Sequence, residues 1–135
     1  MKVEAARLPG ATVGERWPVR QRWAFVVLSV ALVLLATWTQ GWAFASAPLW
    51  SALVLAALVT AAGALATFAP HPGEGRLLHL GCGPCVPVDA LAAVGGAWLA
   101  LTSAHDGGTA SLALALTGFA LARRATAPQS CDRGC

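Results

Sequence analysis

The sequence predicts an all-α membrane protein of four transmembrane helices with both termini on the cytoplasmic side, and three observations predict it. No Asp, Glu, Lys or Arg occurs between Arg22 and Glu74, so this long stretch carries no formally charged side chain. Hydrophobic residues make up 57% of the chain and charged residues 11%, with a mean hydropathy of +0.65. The nine Lys and Arg fall in only three of the five segments that lie outside the apolar runs. An unpaired charge in hydrocarbon costs about 2.5 to 3.5 kcal/mol on insertion scales, so an absence this long is selective. A soluble domain of 135 residues with this composition has too little polar surface to cover itself. The expected location is the cell membrane, crossed several times.

Residues 1–22 form a polar, basic N-terminal segment. Gly41 and Pro48 interrupt the first apolar stretch and divide it into spans at about 23–39 and 49–69, each near the roughly 20 residues that cross a bilayer core. Two further spans are expected at about 87–104 and 108–122, parted by His105, Asp106, Gly107 and Gly108. Their apolar cores measure roughly 22 Å as helices, so they cross only if the helices extend further or the bilayer thins locally. Residues 123–135 complete the chain as a polar tail.

Orientation follows from the basic residues. Lys2, Arg7, Arg16, Arg20 and Arg22 precede the first span, Arg76 lies between the second and third, and Arg123, Arg124 and Arg133 follow the fourth. The positive-inside rule then puts the termini and the 70–89 connection in the cytoplasm, and three spans would strand Arg123 and Arg124 outside. These topological arginines largely account for the net charge of +3, which is therefore no sign of nucleic acid. A competing reading makes residues up to about 45 a cleaved signal peptide, because Ala43, Phe44 and Ala45 match a small-x-small site after an apolar run. Trp17 and Trp23 at one end, with Trp38, Trp42 and Trp50 at the other, are expected as interfacial anchors. Small residues at Ala52, Ala56, Thr60 and Ala64, and at Ala92, Gly96 and Ala100, offer close-packing stripes. Trp98 is expected to face the bundle, where its indole N–H would find a partner, and Thr60 and Thr67 to bond their own backbones.

The chemistry advertised by the chain is sulfur. Cys82 and Cys85 precede the third span, in the order Gly81-Cys82-Gly83-Pro84-Cys85-Val86-Pro87-Val88-Asp89, and Cys131 and Cys135 follow the fourth. Both pairs fall on the cytoplasmic side of the expected topology. Pro84 or Pro87 suits a first helical turn, Asp89 the positive end of the helix dipole, and thiols at such a terminus ionise readily. The cytoplasm keeps thiols reduced, which disfavours a structural disulfide. Paired thiolates select soft or borderline cations, Cu(I), Zn(II), Hg(II) or Cd(II), and exclude magnesium. The expected metal ligands are Cys82, Cys85, Cys131 and Cys135, with His79 and Asp89 as additional candidates; a lone loop histidine such as His71 or His79 is more commonly only solvated.

Cys82-x-x-Cys85-x-Pro87, followed by the small residues Ala90, Ala92, Ala93, Gly95 and Gly96, resembles the cysteine-bearing helix of bacterial mercuric-ion transport proteins of the Mer type. The resemblance covers residues 79–135; in those proteins the motif helix comes first, whereas here two long helices precede it. It implies that Cys82 and Cys85 are a membrane pair, that Cys131 and Cys135 are a handover pair, and that Hg(II) passes to a cytosolic acceptor across a bacterial inner membrane. Four small helices barely enclose a path, so transport implies a homo-oligomer.

Two other classes stand beside this one. Cys82-Gly83-Pro84-Cys85 is the tetrapeptide of the thioredoxin active site, which suggests a membrane thiol-disulfide redox protein, although Gly81 replaces the usual Trp and no strand leads into it. Alternatively, four thiolates would suit a structural Zn(II) in an accessory protein, at sulfur distances of about 2.3 Å. Glu4, Glu15, Glu74, Asp89, Asp106 and Asp132 are too scattered for an acid/base pair, and no phosphate-binding glycine loop opens a helix. No enzyme is expected beyond the redox alternative.

Overall fold

A computed structural model describes residues 18–41, 46–69, 86–103 and 105–126. These residues form four helices and no strand: α1 Val19–Gln40, α2 Pro48–Ala66, α3 Val86–Thr102 and α4 Gly107–Thr126. By length and composition α1 and α2 are apolar enough to cross a membrane, and α3 is a shorter apolar helix.

The punctuation read from the sequence sets the boundaries. Gly41 ends α1 at a φ of 53°, a conformation that side-chain-bearing residues rarely adopt, and its N–H donates to Thr37 O at 3.0 Å. Pro48 opens α2, where its missing N–H costs nothing, and Pro87 lies in the first turn of α3. Asp106 caps α4: Oδ1 accepts the Gly108 N–H at 3.2 Å, while Oδ2 accepts the Thr109 N–H at 2.9 Å and its hydroxyl at 2.6 Å. These bonds hold the exposed Asp106 carboxyl below its ordinary pKa of 3.8, the Thr109 hydroxyl contributing most. Three limits differ from expectation by three or four residues. The first helix begins at Val19 rather than 23, taking in Arg20 and Arg22. The second helix ends at Ala66 rather than 69, giving way to a turn through Thr67 and Phe68, and the fourth continues past 122 to Thr126, carrying Arg123 and Arg124.

Cross-helix contacts fix the connectivity as up-down-up-down. Thr60 meets Thr117, Leu121 lies beside Gly63 and Arg124 covers Phe68, so α2 and α4 run parallel. Asp89 meets Arg123 and Gly96 faces Thr117, so α3 and α4 run antiparallel. The side chain of Gln40 donates to Leu101 O at 2.6 Å, joining the ends of α1 and α3. Helix α4 packs most extensively on α2 and α3, whereas α1 leans chiefly on α2.

Alanine predominates in the interior, beside Trp50, Val54, Leu58 and Phe68. Ala57, Ala61, Ala93, Ala97, Ala100, Ala110 and Ala113 are buried, while Leu91, Val94, Trp98, Leu112 and Phe119 point outward. A Cβ built on Gly96 would lie 2.5 Å from Thr117 Cγ2 and 3.1 Å from Ala113 O, so α3 and α4 approach as closely as the absence of a side chain permits. The α3 stripe therefore forms an interface. The α2 stripe lies only in part as expected: Ala64 is buried and Thr60 meets α4, but Ala52 is exposed, and the buried line runs through Val54, Ala57, Ala61 and Ala64. Trp98 is 67% exposed and faces away from the bundle, contrary to expectation, because Ala97 and Ala100 take the inner positions of α3 and leave no room for an indole. Trp23 and Trp38 are exposed, as anchors would be, but Trp50 is buried against His105, with ring centroids 4.7 Å apart. Trp17 and Trp42 lie outside the described residues.

Thr60 and Thr67 bond their own backbones as expected, at Ala56 O, Ala57 O and Ala64 O. Thr60 also meets the Thr117 hydroxyl at 2.7 Å, a link between helices that the sequence reading did not propose.

Candidate functional site: a charged end of the bundle

The up-down-up-down order brings the start of α1, the end of α2, the start of α3 and the end of α4 to one end. Among the described residues, every formal charge except that of Asp106 lies there: Arg20, Arg22, Asp89, Arg123 and Arg124. Because α3 begins at Val86, the chain enters this end directly after Cys85; because α4 finishes at Thr126, it leaves the same end shortly before Cys131.

One carboxylate joins these two points. Asp89, in the first turn of α3, is 7% exposed. Its Oδ1 lies 3.3 Å from Arg123 Nη1 and its Oδ2 lies 3.5 Å from Arg124 Nε. The Arg124 guanidinium also sits over the Phe68 ring, 3.9 Å from the centroid, and Arg123 covers Phe119 at 5.6 Å. The buried acid thus joins the start of α3 to the end of α4, and Arg124 extends the link to Phe68 in the turn after α2. The arrangement is imperfectly satisfied. Arg124 Nε and Nη2 and Asp89 Oδ1 are buried without a hydrogen-bond partner, so their contacts are ion pairs rather than well-aligned hydrogen bonds.

Asp89 is by sequence both a candidate ligand and a helix-dipole partner. It lies in the first turn, and both carboxylate oxygens are turned toward arginines. Along the chain Arg123 and Arg124 carry only a topological sign. The signal that could have paired them is their uniqueness: Asp89 is the only acid between Glu74 and Asp106. The other candidate ligands, Cys82, Cys85, Cys131, Cys135, His71 and His79, lie outside the described residues. Among the described residues, no group of three or more His, Cys, Asp and Glu is arranged to hold a metal ion.

The opposite end is chemically different. His105 adopts a φ of 58°, stacked on Trp50, and a largely apolar depression of about 270 Å³ opens beside them, lined by Ala47, Pro48, Leu49, Trp50, Leu53 and Gly107. Asp106 is the only formal charge described there, and its oxygens are engaged by the first turn of α4. No family model, no curated protein and no solved structure matches the chain.

Proposed function

We propose that this chain is a multi-pass membrane protein of four spans, with both termini in the cytoplasm, that binds a soft metal ion through its paired cysteines and passes it to a cytosolic acceptor. The observation that supports this reading is the shared end. Cys85 is followed at once by Val86, the first residue of α3, and Cys131 comes five residues after Thr126, the last residue of α4. Asp89, Arg123 and Arg124 tie those two helix ends together. An extended chain covers about 3.3 to 3.6 Å per residue, so Cys131 lies within roughly 18 Å of the end of α4 and within reach of the segment that enters α3. Two thiolate pairs at one end of a bundle suit Hg(II), Cu(I) or Zn(II), and the resemblance to mercuric-ion transport proteins favours Hg(II).

The test is metal content and thiol titration on the full chain purified anaerobically in detergent. Stoichiometric Hg(II), Cu(I) or Zn(II), lost in Cys82→Ser or Cys85→Ser with expression intact, is the expected result. A chain that takes up none of these ions and yields an oxidisable Cys82–Cys85 pair would overturn the metal reading in favour of thiol redox chemistry. Membrane-impermeant thiol labelling of intact cells checks the orientation: all four cysteines should be protected until the membrane is opened.

A further inference from the structure

We infer that Asp89 is a positioning residue for the metal: its pairing with Arg123 and Arg124 holds the start of α3 against the end of α4, so that the two cysteine pairs close on a single ion. The inference rests on the metal reading of the proposed function and gives Asp89 a part other than that of a ligand.

The charged end depends on this pairing because the apolar contacts between α3 and α4 stop short of it. The last buried apolar residues of the two helices toward that end are Ala93 and Ala120. From Ala93 back to its start at Val86, α3 runs on for about 10 Å, at 1.5 Å per residue. Asp89 is the one buried residue in that stretch; Pro87, Val88 and Leu91 are exposed. Beyond Ala120, no described residue of α4 is buried. The helix ends meet there through Asp89, with Oδ1 at 3.3 Å from Arg123 Nη1 and Oδ2 at 3.5 Å from Arg124 Nε.

A carboxylate whose two oxygens both face guanidinium groups is committed to them, so its use to a metal is indirect. Cys85 immediately precedes Val86, and Cys131 follows Thr126 within the tail. The spacing held at Asp89 therefore sets the spacing of the two points from which the cysteine pairs depart. Tetrahedral Zn(II) needs four thiolates at one point, each thiol giving up its proton to water as it binds. Hg(II) is satisfied by two thiolates in line, so either pair can hold it alone. Passage of an ion from one pair to the other goes through an arrangement in which both pairs touch it, and the clamp at Asp89 keeps that arrangement within reach.

The test titrates the full chain, purified anaerobically in detergent, with Zn(II) against a competing chelator and separately with Hg(II). Wild type should bind a single Zn(II) through all four cysteines. Asp89→Asn and Arg124→Gln should each weaken that affinity about tenfold, as loss of a residue that orients metal ligands does. Asp106→Ala, which loosens α4 at its far end, should leave Zn(II) affinity unchanged. The exchanged pair, Asp89→Arg with Arg124→Asp, remakes the contact and should recover most of the loss, which also reads the clamp where a single variant fails to fold. Loss in Asp89→Asn without loss in Arg124→Gln would overturn the inference by making Asp89 a ligand. Equal loss in Asp106→Ala would overturn it by making the effect one of stability alone. A wild type that holds Hg(II) on each pair separately and binds no Zn(II) would overturn the shared arrangement and leave the metal reading intact. A wild type that binds neither ion would overturn both.

Discussion

The two ends of the bundle are held by opposite means. At the charged end, residues far apart in sequence meet through full charges: Asp89 with Arg123 and Arg124, and Arg124 over Phe68. At the other end the contacts are neutral or local. Among the described residues they include the Trp50–His105 stack, the Gln40–Leu101 hydrogen bond and the Asp106 cap on its own helix. The difference teaches where the fold is exposed to single changes. A charge that loses its partner in a low-dielectric setting keeps its desolvation cost, whereas a lost stack or cap removes only its own modest contribution.

The comparison breaks first at Asp89. Asp89→Ala removes the carboxylate that faces Arg123 and Arg124 and should cost about 2 to 3 kcal/mol, below the roughly 3 to 5 kcal/mol of a fully buried pair because Arg123 is partly exposed. Unfolding in mixed micelles would measure it, and a cost below about 0.5 kcal/mol would put the charged end on the same footing as the neutral one. Gly96→Val, between the ends, drives a side chain into Thr117 and Ala113 and should cost about 1 to 3 kcal/mol by overpacking. Unlike the Asp89 change, its effect should be insensitive to salt. Thr117→Val removes the hydroxyl that meets Thr60 and should cost about 0.6 kcal/mol, the average for hydrogen bonds between membrane helices.

The smallest effect belongs to Asp106. Its pKa in the folded chain lies below the ordinary value of 3.8, so its capping contribution is complete above that pH and is lost as pH falls through the folded value. Amide protection in the first turn of α4, corrected for the intrinsic exchange rate, should fall as the pH drops below Asp106's ordinary value of 3.8 in wild type. Asp106→Asn, which keeps an acceptor but cannot titrate, should show no such dependence.

Helix existence and approximate limits were legible because Gly41, Pro48 and Pro87 punctuate apolar runs whose lengths suit helices. Which face of each helix turns inward was less legible. In water a large apolar residue gains by burial, so periodicity marks the core; against lipid that drive is absent, and closeness of approach decides instead. On the proposed membrane reading, Trp98 shows the inversion: sized for a soluble core, it lies outside while Ala97 and Ala100 lie inside. Gly96 was readable because small size is the operative signal, but Ala52 and Ala56 show that alanine alone does not choose between equivalent stripes. The arginines were legible as a sign and not as partners. Topology rules count charge near a helix end, whereas the pairing depends on α3 and α4 lying antiparallel at a separation that spacing along the chain does not encode.

The buried faces of α3 and α4, made of alanine, Gly96 and Thr117, have few rotamers to freeze, so these two helices associate with little of the side-chain entropy cost that leucine or methionine cores carry. The same economy removes any slack. A methyl group has no alternative conformation with which to absorb an intruding atom, so the backbones themselves must part. Sequence drift is then channelled outward. The leucines, valines and aromatic residues on the outer surface can exchange freely for one another, while the inner alanines and Gly96 hold the spacing between the helices.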